Sequence, residues 1–166
     1  MAQATESEAL ALLDKLQISY QKVDHPALWT MADEKKLAQR LPRVKNLFLK
    51  LRKSQQYYLY LTIDRPVNFK TLAYFLGVSH SKLVFATPAE LKEILGLVPG
   101  MVTPLALMHD QKQQVTVLLD VRLQQLPAIS AHPNINTATI LLSYADLLKI
   151  LQATGHAPLI VTVKEA

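Results

Sequence analysis

NLFLKLRKSQQYYLYLTI, residues 46–63, is the stretch on which the fold turns. From Asn46 to Arg52 the chain alternates, with Leu47, Leu49 and Leu51 on one side and Phe48, Lys50 and Arg52 on the other. Tyr57 to Ile63 alternates as well, and the intervening Lys53-Ser54-Gln55-Gln56 is polar. Two runs with a period of two, joined by a short polar turn, predict a β-hairpin. Lys50, Arg52 and Lys53 then read as the solvated face of an edge hairpin, where basic residues discourage aggregation.

Helix and strand signals alternate on both sides of this hairpin. Upstream, Glu6 to Leu16 places Ala9, Leu10, Leu12, Leu13 and Leu16 along one helical face. Ile18 to Val23 is β-branched and aromatic and predicts a strand, broken by His25-Pro26. Thr30, with Asp33 three residues on, caps a helix that runs to about Arg40 and stops at Pro42. Downstream, Asn68 caps a helix through Leu76 that Gly77 closes. Lys82 to Ala86 predicts a short strand. Thr87-Pro88-Ala89-Glu90 combines a capping box with a proline at the first helical position, and that helix ends at Gly96. Val102 to Met108 and Gln114 to Asp120 predict strands joined by the polar turn His109 to Gln113, and Thr137 to Leu142 a further strand. Ser143-x-x-Asp146 caps a last helix that stops at Gly155, and Leu159 to Val163 closes the chain as a strand. The mixed order predicts an α/β domain, a mixed and mostly antiparallel sheet with flanking helices.

Composition narrows the chemistry. The chain has 166 residues, 50% of them apolar, enough for a packed core in a single domain. It contains no cysteine, which excludes a disulfide scaffold, a Cys-ligated metal and a thiol nucleophile. Only four glycines are present, and neither G-x-G-x-x-G nor G-x-x-x-x-G-K-[ST] occurs. The N-terminus lacks a basic region ahead of its apolar residues, and no run approaches the roughly 18 apolar residues of a membrane span. A soluble, cytoplasmic protein is expected.

The charge is local. Residues 35–53 hold Lys35, Lys36, Arg40, Arg43, Lys45, Lys50, Arg52 and Lys53 and no acid. The remaining ten basic residues face 13 acidic ones. Such a stripe suits a polyanion. Lys45 differs from the hairpin lysines because it stands at a loop–strand junction, where a side chain can enter a cleft.

The histidines, His25, His80, His109, His132 and His156, form no zinc-binding spacing. His25-Pro26 and His132-Pro133 read as turns, and His80, His109 and His156 as loop or surface residues. There is no Gly-x-Ser-x-Gly elbow, and Ser143 is explained as a helix cap. Gly100-Met101-Val102-Thr103-Pro104 reads as a Pro-Gly turn leading into a β-branched segment; such a backbone can approach a ligand closely.

Several of these segments together resemble the YbaK/ProX family of aminoacyl-tRNA editing domains, most nearly its free-standing ProXp-ala (PrdX) branch. They are Lys45-Asn46-Leu47-Phe48-Leu49, Gly100-Met101-Val102-Thr103-Pro104, and His132-Pro133 followed by Asn136-Thr137-Ala138-Thr139. His25-Pro26 with Thr30, Ser143-x-x-Asp146-Leu147-Leu148 and Gly155-His156 agree in the same order, from about Leu10 to Val163. The sequence departs from the pattern at Leu105-Ala106, where Phe-Gly is common, and at Leu41-Pro42-Arg43-Val44, where Gly-Ala-His-Thr is common.

The resemblance implies one YbaK/ProX-like domain over residues 1–166 that hydrolyses alanyl-tRNA(Pro), an error of prolyl-tRNA synthetase, by water attack on the ester. It implies no cofactor, metal or covalent intermediate. Lys45 would engage the phosphate or ribose of the tRNA 3′ end. Gly100 and Pro104 would hold main-chain groups near the ester, His132 would stand at the pocket rim, and Asn46 would make a polar contact. From their position flanking His25, itself an expected substrate contact, Tyr20, Val23, Leu28 and Thr30 are expected to line the aminoacyl pocket. Lys35, Lys36, Arg40 and Arg43 would follow the tRNA, and prolyl-tRNA synthetase is the expected protein partner. The competing readings are editing of cysteinyl- or seryl-tRNA, a non-catalytic tRNA- or synthetase-binding module, and a metabolic enzyme acting on a small ester.

Overall fold

The 46–63 hairpin lies within a five-stranded sheet in the computed structural model of the chain. The structure describes residues 3–28, 32, 33, 36 and 41–162. In chain order the elements are α1 (Glu6–Lys15), β1 (Gln21–Asp24), β2 (Val44–Leu51), β3 (Tyr57–Ile63), α2 (Phe69–Leu76), β4 (Leu83–Phe85), α3 (Pro88–Leu95), β5 (Val115–Asp120), β6 (Ile129–Ala131), β7 (Ala138–Leu142), α4 (Tyr144–Ala153) and β8 (Leu159–Val161). The helix expected from Thr30 to Arg40 falls almost wholly outside the described residues, as does Val163 of the closing strand.

The strands divide into two sheets. One has the order β4-β2-β3-β5-β8, with β2 antiparallel to β3 and β4, and β5 parallel to both β3 and β8. The other, β1-β7-β6, is wholly antiparallel. Alternation along β2 and β3 sends side chains into two separate cores. Phe48, Leu59 and Leu61 join the larger core, which also takes Ile129, Ile140 and Leu142 of the second sheet and so binds the sheets together. Leu49, Tyr58 and Tyr60 join a smaller core under α2.

The helix ends form as their capping residues dictate. Asn68 Oδ1 accepts from the Thr71 N–H, and Gly77 closes α2 at φ 70°. Thr87 and Glu90 complete a reciprocal capping box with Pro88 at the first position of α3. Ser143 caps α4, which stops at Ala153 with Thr154 as its cap, two residues short of Gly155.

Three expectations need correction. Val102 to Met108 is not a strand. Pro104 to His109 is a 3-10 helix, opened by Thr103, whose Oγ1 accepts from the Leu105 N–H. Leu105, Ala106 and Leu107 are all buried, so no alternation remains to favour a strand. Lys50 is not on a solvated edge: β4 covers residues 49–51, and the Lys50 ammonium meets Glu90 Oε2 at 2.5 Å above the Tyr57 ring. His156 and His109 are not surface residues. His156 is 4% exposed and faces Asp110 Oδ2 at 2.8 Å, and His109 binds Glu8 at 2.8 Å.

Buried carboxylates are thereby tied down. Burial alone would raise the Glu90 carboxyl; hydrogen bonds from Lys50, Tyr57 and the Thr87 N–H outweigh it and hold the group at about 2. Tyr57 is pushed up to about 12 by burial and by its bond to Glu90. Asp110 is lowered, because bonds from His156 and the N–H groups of Gln114 and Val115 overcome its burial. Asp120 is lowered in the same way by Arg122 and Thr62.

Candidate active site

β2 is flanked differently along its length. Among the described residues β4 pairs only with Leu49–Leu51, and the Ala86 N–H to Phe48 carbonyl bond (3.0 Å) is the last link on that side. Residues 44–47 therefore have β3 on one side and a cleft on the other. In an antiparallel ladder a residue's N–H and C=O point the same way, and so do those two residues along. Asn46 thus directs its main-chain N–H and C=O away from β3, as Phe48 does its carbonyl.

The cleft has a volume of about 470 Å³. Lys45 and Asn46 line it from β2, Gly100 and Val102 from the loop after α3, and Ser130, Ala131, His132 and Thr139 from the second sheet. Phe48, Phe85, Ala86, Pro88 and Leu91 form its apolar wall, and Arg43 stands at its basic end. Lys45, Gly100 and His132, more than thirty residues apart from one another in sequence, share this one cavity.

Each is held by its surroundings. Lys45 alternates with Leu47 and Leu49 and so lies on the smaller-core face, opposite Asn46; the cleft wraps around the strand edge to take in both. Its ammonium donates to the Arg65 carbonyl at 2.9 Å. Gly100 sits at φ 85°, a left-handed conformation that disfavours a side chain although space for one exists. Thr103, fully buried, donates from Oγ1 to the His132 carbonyl at 2.7 Å and so ties the Gly100 loop to the second sheet. His132 Nδ1 donates to the Ala138 carbonyl at 3.1 Å, which fixes the orientation of the ring.

Asn46 places its amide NH₂ against the Val44 carbonyl at 3.3 Å, and its Oδ1 is buried without a protein partner. A buried acceptor beside a ligand cleft is an expected substrate contact. His25 does not line the cleft. Its Nδ1 donates to the Pro26 carbonyl and its Nε2 accepts from Thr139 Oγ1, each at 2.9 Å. It therefore orients a hydroxyl that does line the cleft. The rings of His25 and His132 lie 6.4 Å apart, edge to face.

Of the other residues expected at the pocket, Leu28 lines it, its carbonyl held by Asn136 Nδ2 at 3.0 Å. Tyr20 packs against the larger core instead, and Pro104 is buried at the start of its 3-10 helix. Neither lines the cleft, and nor does Val23. Thr30, Lys35 and Arg40 lie outside the described residues. Lys36 is exposed, and Arg43 pairs with Asp64 at 3.1 Å. Sequence reasoning quoted Thr103 and Thr139 only inside longer motifs and gave neither a role, and it missed Ser130 and the Asn46 main chain. A threonine or serine carries no mark that separates a ligand contact from packing or capping. The open edge exists only because β4 is short.

The sequence pattern of the aminoacyl-tRNA editing domain matches residues 25–150, three quarters of the chain. The prolyl-tRNA editing protein ProX of Acetoanaerobium sticklandii is 36% identical over 150 residues, covering 89% of this chain and 90% of that one. Prolyl-tRNA synthetase associated domain-containing protein 1 of Bos taurus is 37% identical over 152 residues, covering 89% of each. A crystal structure described as a candidate trans-editing enzyme for prolyl-tRNA synthetase shares the fold, with a TM-score of 0.70 over 97% of each chain at 20% identity. The chain belongs to the aminoacyl-tRNA editing domain family, whose members are hydrolases of the aminoacyl ester.

Proposed function

We propose that this protein is a trans-editing deacylase that hydrolyses alanyl-tRNA(Pro) in the cytoplasm. The observation that carries the reading is the meeting of Lys45, Gly100 and His132 in one cleft whose basic end adjoins an apolar wall. An aminoacyl ester is already activated, so orienting a water and stabilising the developing oxyanion suffice. Lys45 holds the terminal phosphate or ribose as a compact positive charge. The main chain around Gly100 and the outward N–H of Asn46 surround the carbonyl, and the neighbouring ribose hydroxyl assists the attacking water. His132 stands at the rim. Lys36 and Arg43, with Lys35 and Arg40, carry the tRNA body.

Selectivity follows from size. The cognate prolyl ester must survive, and a pocket shaped to a methyl group excludes the larger pyrrolidine ring by overlap. The test is to compare alanyl-, seryl-, cysteinyl- and prolyl-tRNA(Pro) as substrates, with and without prolyl-tRNA synthetase. Alanyl-tRNA is expected to be cleaved fastest. Faster cleavage of cysteinyl- or seryl-tRNA overturns the alanyl assignment, and binding with no cleavage of any ester overturns catalysis.

A further inference from the structure

We propose that Phe85 is a stacking platform for the terminal base of the single-stranded acceptor end. This rests on the editing function proposed above. Phe85 is 59% exposed, yet it is no isolated surface residue: it lines the cleft. Phe69, at the start of α2 and packed on the smaller core, meets it edge to face, with ring centroids 5.7 Å apart at 67°. A T-shaped contact of this kind fixes a ring while leaving much of it uncovered. Asn68, capping α2 through the Thr71 N–H, fixes the backbone from which Phe69 projects.

The position fits a nucleotide. Phe85 pairs directly with Leu49, so the two side chains share a sheet face. Lys45 lies on that same face, four residues earlier on β2, or roughly 14 Å along the strand at about 3.4 Å per residue. A lysine side chain extended toward a phosphate, and the sugar and base attached to that phosphate, span this gap. Lys45 and Arg43 at one end of the cleft and an uncovered aromatic ring at the other repeat the two elements of single-strand recognition: cation for backbone, aromatic face for base. The apolar wall beyond Phe85, made by Ala86, Pro88 and Leu91, carries no charged group to compete for the base. The ligand class is therefore the 3′-terminal base of a single strand, since an aromatic face stacks any base. Stacking there would anchor the nucleotide whose ribose bears the ester.

The test uses the full-length protein and an uncharged acceptor minihelix ending in 2-aminopurine, whose fluorescence is quenched on stacking. Wild type should quench it. Phe85→Leu, which keeps an apolar side chain, should lose the quench and weaken binding about ten-fold, the scale of a base–aromatic contact. Phe85→Trp should keep both. A minihelix with an abasic terminus should bind wild type and Phe85→Leu equally. Unchanged quenching and affinity in Phe85→Leu overturns the platform, as does an equal loss with the abasic minihelix. Deacylation of alanyl-tRNA by wild type is measured in parallel. Quenching without deacylation leaves the platform standing and removes the editing function. Deacylation with a Phe85→Leu KM equal to wild type removes the platform and leaves the editing function.

Discussion

Lys45 and Lys50 lie five residues apart on one strand, and the structure gives them different work. Lys50 is on the half of β2 that β4 and α3 close over. Its side chain is 18% exposed and its ammonium is bound to the Glu90 carboxylate, which also accepts from Tyr57. Lys45 is on the half whose flank is a cleft, and its ammonium donates to the Arg65 main-chain carbonyl. Trading a bond to a neutral carbonyl for one to a phosphate is favourable, whereas Lys50 would have to leave a carboxylate. The two lysines project from opposite faces of β2, and what covers the flank beside each decides whether it is tied to a carboxylate or borders a cleft.

This contrast can be broken by mutation. The largest expected effect is on the closed half. Glu90→Ala leaves the Lys50 ammonium and the Tyr57 hydroxyl half-buried without their acceptor and removes part of the α3 capping box. A loss of about 3 kcal/mol in stability is expected, with the activity per folded molecule retained. Urea denaturation checks the first and active-site-normalised deacylation the second. Equal loss of activity would mean the two halves are not separate.

Lys45→Ala should do the reverse. Deacylation (kcat/KM) should fall at least ten-fold, about 1.4 kcal/mol, while the denaturation midpoint stays within the range of an ordinary surface change. An unchanged rate removes Lys45 from the site.

The pH response of stability should come from the tied-down carboxylates, with Glu90 the one on the closed half. The folded-state value of Glu90 lies well below its ordinary 4.5, and Asp110 and Asp120 shift the same way. The unfolded chain therefore binds more protons in acid. Their contribution is fully present above about pH 5 and is lost as pH falls through 4.5 toward about 2. Glu90→Gln should flatten part of that decline in denaturation measured from pH 6 to pH 3; an unaltered slope would show that Glu90 is not the group responsible.

The smallest effect is expected at Gly100. A Cβ there meets nothing within 4 Å, so Gly100→Ala costs only the left-handed conformation, about 1 kcal/mol. A drop in deacylation several-fold beyond the stability loss would sharpen the case that the loop backbone faces the ester. Proportionate loss would reduce Gly100 to a turn residue.

The sequence by itself determined whatever local rules decide. The period-two runs of β2 and β3, the Asn68, Thr87 and Ser143 caps and the Gly77 terminus are set by contacts within a few residues, and they stand where the pattern places them. The Lys45, Gly100 and His132 tags were visible as motifs, through their resemblance to a family. Tertiary structure decided the rest. Val102 to Met108 has a strand's composition, but Pro104 and the burial of three consecutive residues wound it into a 3-10 helix. His156 reads as a loop residue and is one, but only the fold shows that it is buried against Asp110. The cleft exists because β4 stops short of the first half of β2 while the second sheet stands nearby. Pairing between strands dozens of residues apart has no local signature, so only the folded chain could show which lysine meets a carboxylate and which meets a cavity.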